Sequence, residues 1–203
     1  LREIQDKINR PKMTYGIYNN SDIEAGNIKF KKEMSSFQLS TNKNEKIKIN
    51  LNCPGEYNIY NALAASAMSL ELDIPIKYIK KGLESYLGVK RRFEIKYNKK
   101  GLIIVDDYAH HPSEIKATLI AGKKGWNKRL IAVFQPHLYS RTKDFYIDFA
   151  KSLSKADLVI ITDIYAAREK PIQGITSKLI TKHLEKINFT NFFETKISEL
   201  PKK

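Results

Sequence analysis

Cysteine is nearly absent: Cys53 stands alone among 203 residues, so no internal disulfide can form, and no Cys/His spacing matches a zinc site. No metal is expected to be held by this chain. Long apolar runs are missing too. None approaches the roughly 18 to 20 residues of a membrane span, so no membrane partner is expected. The first stretch, Leu1 to Pro11, is charged where a secretion signal would be apolar, which makes a cytoplasmic location the expectation. Acidic residues are outnumbered 22 to 36 by lysine and arginine, for a net charge of +14. Such an excess suits a polyanion. Arginine, however, is scarce: seven residues against 29 lysines, with the lysines spread over every expected surface. Phosphate and base readout favour clustered arginine, so no nucleic-acid partner is expected.

What the chain does have is 42% hydrophobic residues, enough to bury one or two cores. Thr14–Tyr18, Asn27–Phe30, Ser36–Ser40 and Ile47–Leu51 alternate apolar and polar side chains between polar turns, and predict a small antiparallel meander. Two amphipathic helices follow. Asn58 to Leu72 aligns Ile59, Leu63, Ala67 and Leu70, and Pro75 to Leu87 aligns Ile76, Ile79, Leu83 and Leu87. Beyond Gly88 the rhythm changes to strands at Leu102–Val105, Leu130–Phe134 and Leu158–Thr162, alternating with helices at Pro112–Lys124, Lys143–Leu153 and Ser177–Ile187. A further short strand is expected at Phe189–Glu194. This alternation predicts an α/β fold with a mostly parallel sheet and flanking helices. A domain boundary is placed between residues 92 and 93, giving domains 1–92 and 93–203.

Each of the three main strands in the second half ends in polar and aromatic groups: Asp106 to His111, Gln135 to Thr142, and Asp163 to Lys170. In a parallel sheet those ends share the edge at which open α/β folds bind ligands. Arg141 and Arg168 suit a carboxylate or phosphate, while His110, His111 and His137 can donate hydrogen bonds or exchange protons. The simpler alternative is structural, with Asp107 or Ser113 capping a helix and Arg168 paired with Glu169 or Asp163. In the first half, Asn58 and Asn61 share one face of a helix's first turn. Asn58 can serve as an N-cap, whereas Asn61 can read the edge of a nucleobase. Lys90-Arg91-Arg92 is either a phosphate or ribose contact or a solvated linker.

Taken in order, the motifs Gly55-x-Tyr-Asn-x-x-Asn-Ala-x-Ala-Ala65, Gly88-Val-Lys-Arg-Arg-Phe-Glu94, Asp106-Asp-Tyr-Ala-His-His-Pro112 and Phe134-Gln-Pro-His-x-Tyr-Ser-Arg-Thr142 resemble the Mur ligases. The Phe-Gln-Pro-His run and Asp163-Ile-Tyr-Ala-Ala-Arg-Glu-Lys-Pro171 are similar to the alanine-adding branch. The resemblance implies a Rossmann-like C-terminal domain preceded by the strand-and-helix tail of an ATPase domain. It also implies a peptidoglycan-precursor ligase that uses ATP and Mg2+, with UDP-N-acetylmuramate and L-alanine as substrates. ATP activates the substrate carboxylate as an acyl phosphate, which the amine of L-alanine attacks. By the same resemblance Asn58, Asn61, Arg92 and Asp107 contact the nucleotide. His110 and His137 are the catalytic candidates, and Tyr108, Tyr139 and Arg141 meet the amino-acid substrate.

The departures are specific. No Gly-x-x-x-x-Gly-Lys-[Ser/Thr] phosphate loop occurs, and the family's UDP-binding domain and metal-holding carboxylate, histidine and lysine groups are absent from these 203 residues. Tyr57 stands where the family usually has His, and Leu138 where it usually has Arg. The chain is therefore expected to be either a fragment of a longer polypeptide or one piece of a split enzyme, to have the missing N-terminal portion as its partner, and to be inactive alone. A non-catalytic module retained for ligand binding or interaction is the alternative.

Overall fold

The computed structural model describes residues 7–200, and the chain divides into two compact units, Leu1–Leu87 and Gly88–Lys203. Residues 1–6 of the charged N-terminal stretch, and 201–203, fall outside the described residues.

The first unit is a four-stranded sheet, β1 (Tyr15–Ile17), β2 (Ile23–Lys31), β3 (Met34–Thr41) and β4 (Lys46–Leu51), in sequential order, followed by α1 (Glu56–Glu71) and α2 (Ile76–Ser85). The expected meander is antiparallel only from β2 to β4, because β1 pairs parallel with β2. Asp22 is the cause. Its Oδ2 accepts from the Thr14 amide at 2.8 Å and the Thr14 hydroxyl at 2.6 Å, drawing the start of β2 back beside the start of β1. Tyr18 and Asn20 adopt φ of 48° and 54° to make that return.

One face of the sheet carries Ile23, Ala25, Phe37, Leu39, Ile49 and Leu51, and α1 covers it with Ile59, Ala62, Leu63 and Ala67. Gly55, at φ 92°, lets the chain turn from β4 into α1 where an L side chain would be strained. Helix α2 is held to β4 by Glu84, whose Oε1 accepts from the Asn50 amide at 3.0 Å and side chain at 3.2 Å. Of the face expected on α2, Ile79 is buried and Ile76 and Leu83 pack on the core, but Leu87 lies beyond the helix and is 81% exposed.

The second unit opens with a hairpin the sequence reading missed, β5 (Glu94–Lys99) antiparallel to β6 (Leu102–Asp106). Lys100 and Gly101 both have positive φ, 51° and 80°, the backbone a two-residue hairpin turn requires. Three parallel strands follow, β7 (Ile131–Phe134), β8 (Leu158–Ile161) and β9 (Phe192–Glu194), with α3 (Pro112–Gly125), α4 (Tyr139–Leu153) and α5 (Lys178–Lys186) between and around them. The fold is α/β, and its sheet C is parallel as expected.

Strand β6, expected within that parallel sheet, pairs instead with β5. An apolar cavity of about 500 Å³, bounded by Leu102, Val105, Leu119, Trp126, Ile131 and Val133, lies between β6, α3 and β7. Ala132, Phe134, Val159 and Ile161 belong to a core completed by Phe149, Leu153, Ile180 and Leu184. Among the described residues no helix is long and apolar enough to cross a membrane.

Cys53 is one of the first unit's core residues, 6% exposed, and burial pushes its thiol up to about 11. Because the thiolate is the reactive form, Cys53 is expected to resist iodoacetamide in the native chain at pH 8 and to react fully in denaturant. Native-state alkylation at the rate of free cysteine would contradict this placement.

Candidate active site

The second unit gathers His110, His137, Arg141, Tyr108 and Tyr165 where β6, β7 and β8 end. Two of these exits are tied by backbone. The Leu138 amide donates to the Tyr165 carbonyl at 2.9 Å and the Tyr165 amide to the Pro136 carbonyl at 2.8 Å, an isolated parallel bridge beyond the ends of β7 and β8. It places the His137 ring 5.6 Å from that of Tyr165. Although β6 pairs elsewhere, its exit reaches the same place: the rings of His110 and His137 are 6.1 Å apart, and Tyr108 meets His110 edge-on at 4.9 Å.

Hydrogen bonding fixes the tautomers of both imidazoles. Arg141 Nη1 lies 3.1 Å from His137 Nδ1, and a guanidinium only donates, so His137 Nδ1 is an acceptor and its ring proton sits on Nε2. His110 is the reverse. Its Nδ1 donates to the Tyr108 carbonyl at 2.8 Å, which leaves Nε2 with a lone pair in the neutral ring. Partial burial, followed by the positive charge of Arg141 and of His110, pushes His137 below the usual histidine range, with Glu169 opposing.

Glu114, in the first turn of α3, organises the β6 exit. Its Oε2 accepts from the His110 amide at 3.0 Å and the His111 amide at 3.2 Å, while Oε1 faces Arg92 Nη1 at 3.5 Å. The helix is capped by His111, whose Nδ1 accepts from the Ser113 amide at 3.4 Å, and not by Asp107 or Ser113. Asp107 instead ties the loop before β5 to α3. Its Oδ2 accepts from the Phe93 amide at 2.9 Å and Thr118 Oγ1 at 3.0 Å, and Oδ1 from the Ala109 amide at 2.8 Å. One lone-pair site, on Oδ1, stays open. Arg91, given no separate role by the sequence reading, lays its guanidinium 4.4 Å from the Tyr108 ring centre and pairs with Asp106 at 3.7 Å.

Tyr139 begins α4 and is half-buried. Ser140 beside it donates from its amide to Glu169 Oε2 at 3.0 Å and from its hydroxyl to Oε1. Arg168, proposed on sequence to pair with Glu169 or Asp163, has no ion pair among the described residues, since Glu169 is engaged by Ser140.

Asn58 and Asn61 belong to the first unit. Gly55, not Asn58, is the N-cap of α1; Asn58 Nδ2 donates to the Pro54 carbonyl at 2.7 Å and its Oδ1 accepts from Asn61 Nδ2 at 3.4 Å. Asn61 is exposed, and its Oδ1 is without an intramolecular partner among the described residues. The structure thus brings together His110, His137, Arg141 and Tyr108, links Arg92 to them through Glu114, and sets Asp107 and Tyr139 in the backbone that supports them. The apolar cavity of the second unit takes in none of His110, His137 or Arg141.

Residues 91–200 match the family described as Mur ligase, glutamate ligase domain, and residues 1–69 the Mur ligase middle domain. The chain belongs to the Mur ligase family. The UDP-N-acetylmuramate–L-alanine ligase of Geotalea daltonii is 44% identical over 174 residues, covering 85% of this chain and 38% of the relative. That of Pelodictyon phaeoclathratiforme is 43% identical over 190 residues, 92% of this chain and 40% of the relative. Among solved structures, UDP-N-acetylmuramate-alanine ligase from Thermotoga maritima superposes with a TM-score of 0.74 at 26% identity, over 91% of this chain and 40% of that one. The chain therefore spans about two fifths of the length of the curated relatives it matches.

The network around Glu114 carries a pH signature. Burial favours its neutral form, but the His110 and His111 amides and the charges of His110 and Arg92 outweigh it and hold the carboxyl below the ordinary glutamate range. A carboxyl depressed by folding stabilises the fold at every pH above its unfolded value, and that contribution vanishes as pH falls through the folded value. Glu114→Gln is expected to lower stability at pH 7 by about 1 kcal/mol, with the gap to the parent closing as acid protonates Glu114. Denaturant titrations at pH 7 and pH 3 check this, and an equal gap at both would refute it.

Proposed function

We propose that these 203 residues are part of a cytoplasmic UDP-N-acetylmuramate–L-alanine ligase, joining L-alanine to UDP-N-acetylmuramate by ATP-dependent amide-bond formation in peptidoglycan precursor synthesis. In this reading residues 1–92 are the end of the ATP-binding domain and 93–203 the amino-acid-binding domain. The observation that carries it is the convergence of His110, His137 and Arg141 at bridged strand exits, in a chain 44% identical to such a ligase.

The roles follow from donor and acceptor count. Arg141 binds the carboxylate of L-alanine, since a guanidinium presents paired donors to a carboxylate. His110 Nε2, with its lone pair, is the group suited to take a proton from the alanine ammonium before it attacks. His137 Nε2–H is the complementary donor, suited to the oxygen on which charge develops at the reacting carbonyl. Its neutral form is favoured by partial burial and then by the Arg141 charge, and in that form Nε2–H is its one ring donor. Tyr108 and Tyr139 flank the substrate.

ATP fits the chain in part. Taken unit by unit, in the first the Asn61 Oδ1 has no intramolecular partner among the described residues and suits an adenine amino group. In the second, Arg92, paired with Glu114 through Nη1, keeps further donors for phosphate, and Asp107 keeps an acceptor site for a ribose hydroxyl. When bound, ATP supplies the phosphoryl group that activates the substrate carboxylate. For Mg2+ the donors do not fit, because among the described residues no three His, Cys, Asp or Glu side chains cluster as a cation site. The phosphate loop is likewise outside this sequence, so the chain is expected to be inactive by itself.

The test supplies the upstream portion of the Geotalea daltonii relative in trans and measures phosphate release with ATP, UDP-N-acetylmuramate and L-alanine. Release is expected only in the mixture and only with alanine. Arg141→Lys is expected to raise the KM for L-alanine about tenfold or more, the penalty for exchanging a planar fork for a point charge. Release from the 203 residues alone, or an Arg141→Lys mixture with unaltered KM, would overturn the assignment.

A further inference from the structure

The first turn of α4 carries Arg141 and follows His137, yet it lacks a local cap. Its N-cap residue is Leu138, an aliphatic side chain that accepts nothing, held at φ 71°. Uncapped first-turn amides are costly unless another group takes their hydrogen bonds. Here the group comes from the loop after β8. Glu169 accepts from both the amide and the hydroxyl of Ser140, with the Tyr139 amide adding a weaker pull, and Ala167 at φ 49° turns the loop so that the carboxylate reaches α4. The same loop holds the other side of His137 through the Tyr165 bridge. The segment from His137 to Arg141 is thus gripped at two points by one loop.

We propose that Glu169 is a positioning residue for the amino-acid end of the site, acting through Ser140 to fix the turn on which His137 and Arg141 face each other, and supplying the negative charge that balances them. A carboxylate serves here better than a carboxamide would. It satisfies two donors at once, and it lies close enough to Arg141 and His137 for their charges to be felt. Because Ser140 occupies it, Glu169 does not pair with Arg141, whose guanidinium stays against the imidazole at 3.1 Å and available to a substrate carboxylate. The groups facing His137 are Arg141 from α4, His110 from the β6 exit, and Tyr165 and Glu169 from the β8 exit. Of these only Glu169 favours the protonated ring.

The inference rests on the assignment of His137 and Arg141 to substrate, so its first measurement needs no substrate. Histidine ring signals of the 203-residue chain are titrated by NMR, and amide exchange is followed at Ser140 to Thr142. Glu169→Gln keeps an acceptor for Ser140 and removes the charge, so the His137 midpoint is expected to move down while exchange stays near the parent rate. Glu169→Ala removes both, so the midpoint is expected to move down and exchange to quicken about fivefold, as for a lost helix cap. An unmoved His137 midpoint in both variants overturns the proposal, as does unchanged exchange in Glu169→Ala. Should the alanine variant fail to fold, the glutamine midpoint alone decides. In the reconstituted ligase, Glu169→Ala is expected to raise the KM for L-alanine and, through the loosened His137, to lower kcat as well, with Glu169→Gln retaining more of both. If no ligation is reconstituted, the assignment of function fails while the NMR result still stands.

Discussion

The site depends on the two hydrogen bonds that join Pro136 and Leu138 to Tyr165. A parallel sheet delivers strand ends to one edge, but a strand end is only the start of a loop, and loops wander unless their backbone groups are satisfied. Here an isolated parallel bridge re-forms three residues past β7 and four past β8, so the His137 backbone is constrained like that of a strand residue while its ring remains partly accessible. That constraint makes a 3.1 Å contact with Arg141 four residues later meaningful. The contact joins the end of an extended segment to the first turn of a helix, and both are fixed.

Charge around the two imidazoles is nearly self-balancing. Glu114 sits between Arg92 and His110, Asp106 takes Arg91, and Glu169 offsets Arg141 from across the Ser140 bonds. Exposed ion pairs of this sort contribute little stability one by one. Their effect is on protonation and orientation. When neutral, with one ring holding its proton on Nδ1 and the other on Nε2, the pair offers one acceptor and one donor.

Most of the regular structure was legible because it is written in periodicity. Strands β3 and β4 alternate strictly, and α1 places Ile59, Leu63 and Ala67 on its buried face. Element β5 escaped although Phe93, Ile95 and Tyr97 alternate with Glu94, Lys96 and Asn98 and the Lys100-Gly101 turn follows, because the domain boundary drawn from the sequence falls at its start and the run reads as the hand-over between domains. The parallel entry of β1 was hidden for another reason. It is imposed by the hydrogen bonds of Asp22 to Thr14, a contact between polar residues that a hydrophobic pattern does not encode. Among candidate site residues, the types near His137 could be named from the strand ends. The connectors could not, since Glu114 and Glu169 look on sequence like ordinary surface glutamates and acquire their roles only from the amides they reach.

Leu138 shows how backbone and side chain divide the work at this site. A left-handed φ costs a residue with a Cβ about 1 to 2 kcal/mol, a strain kept only where the surroundings fix it. They do so here, because the Leu138 amide is held by Tyr165 and its carbonyl accepts from the amide of Thr142 at 3.1 Å and its hydroxyl at 2.8 Å. The side chain at 138 is therefore free of any role in forming the turn, and replacing it leaves the turn's bonds in place. What the residue contributes to a ligand is then decided by its side chain alone, and leucine contributes no charge. In the proposed function carboxylate recognition at this end of the site therefore rests on Arg141, and the geometry of its neighbours, Glu169 above all, matters more than it would where two arginines shared the task.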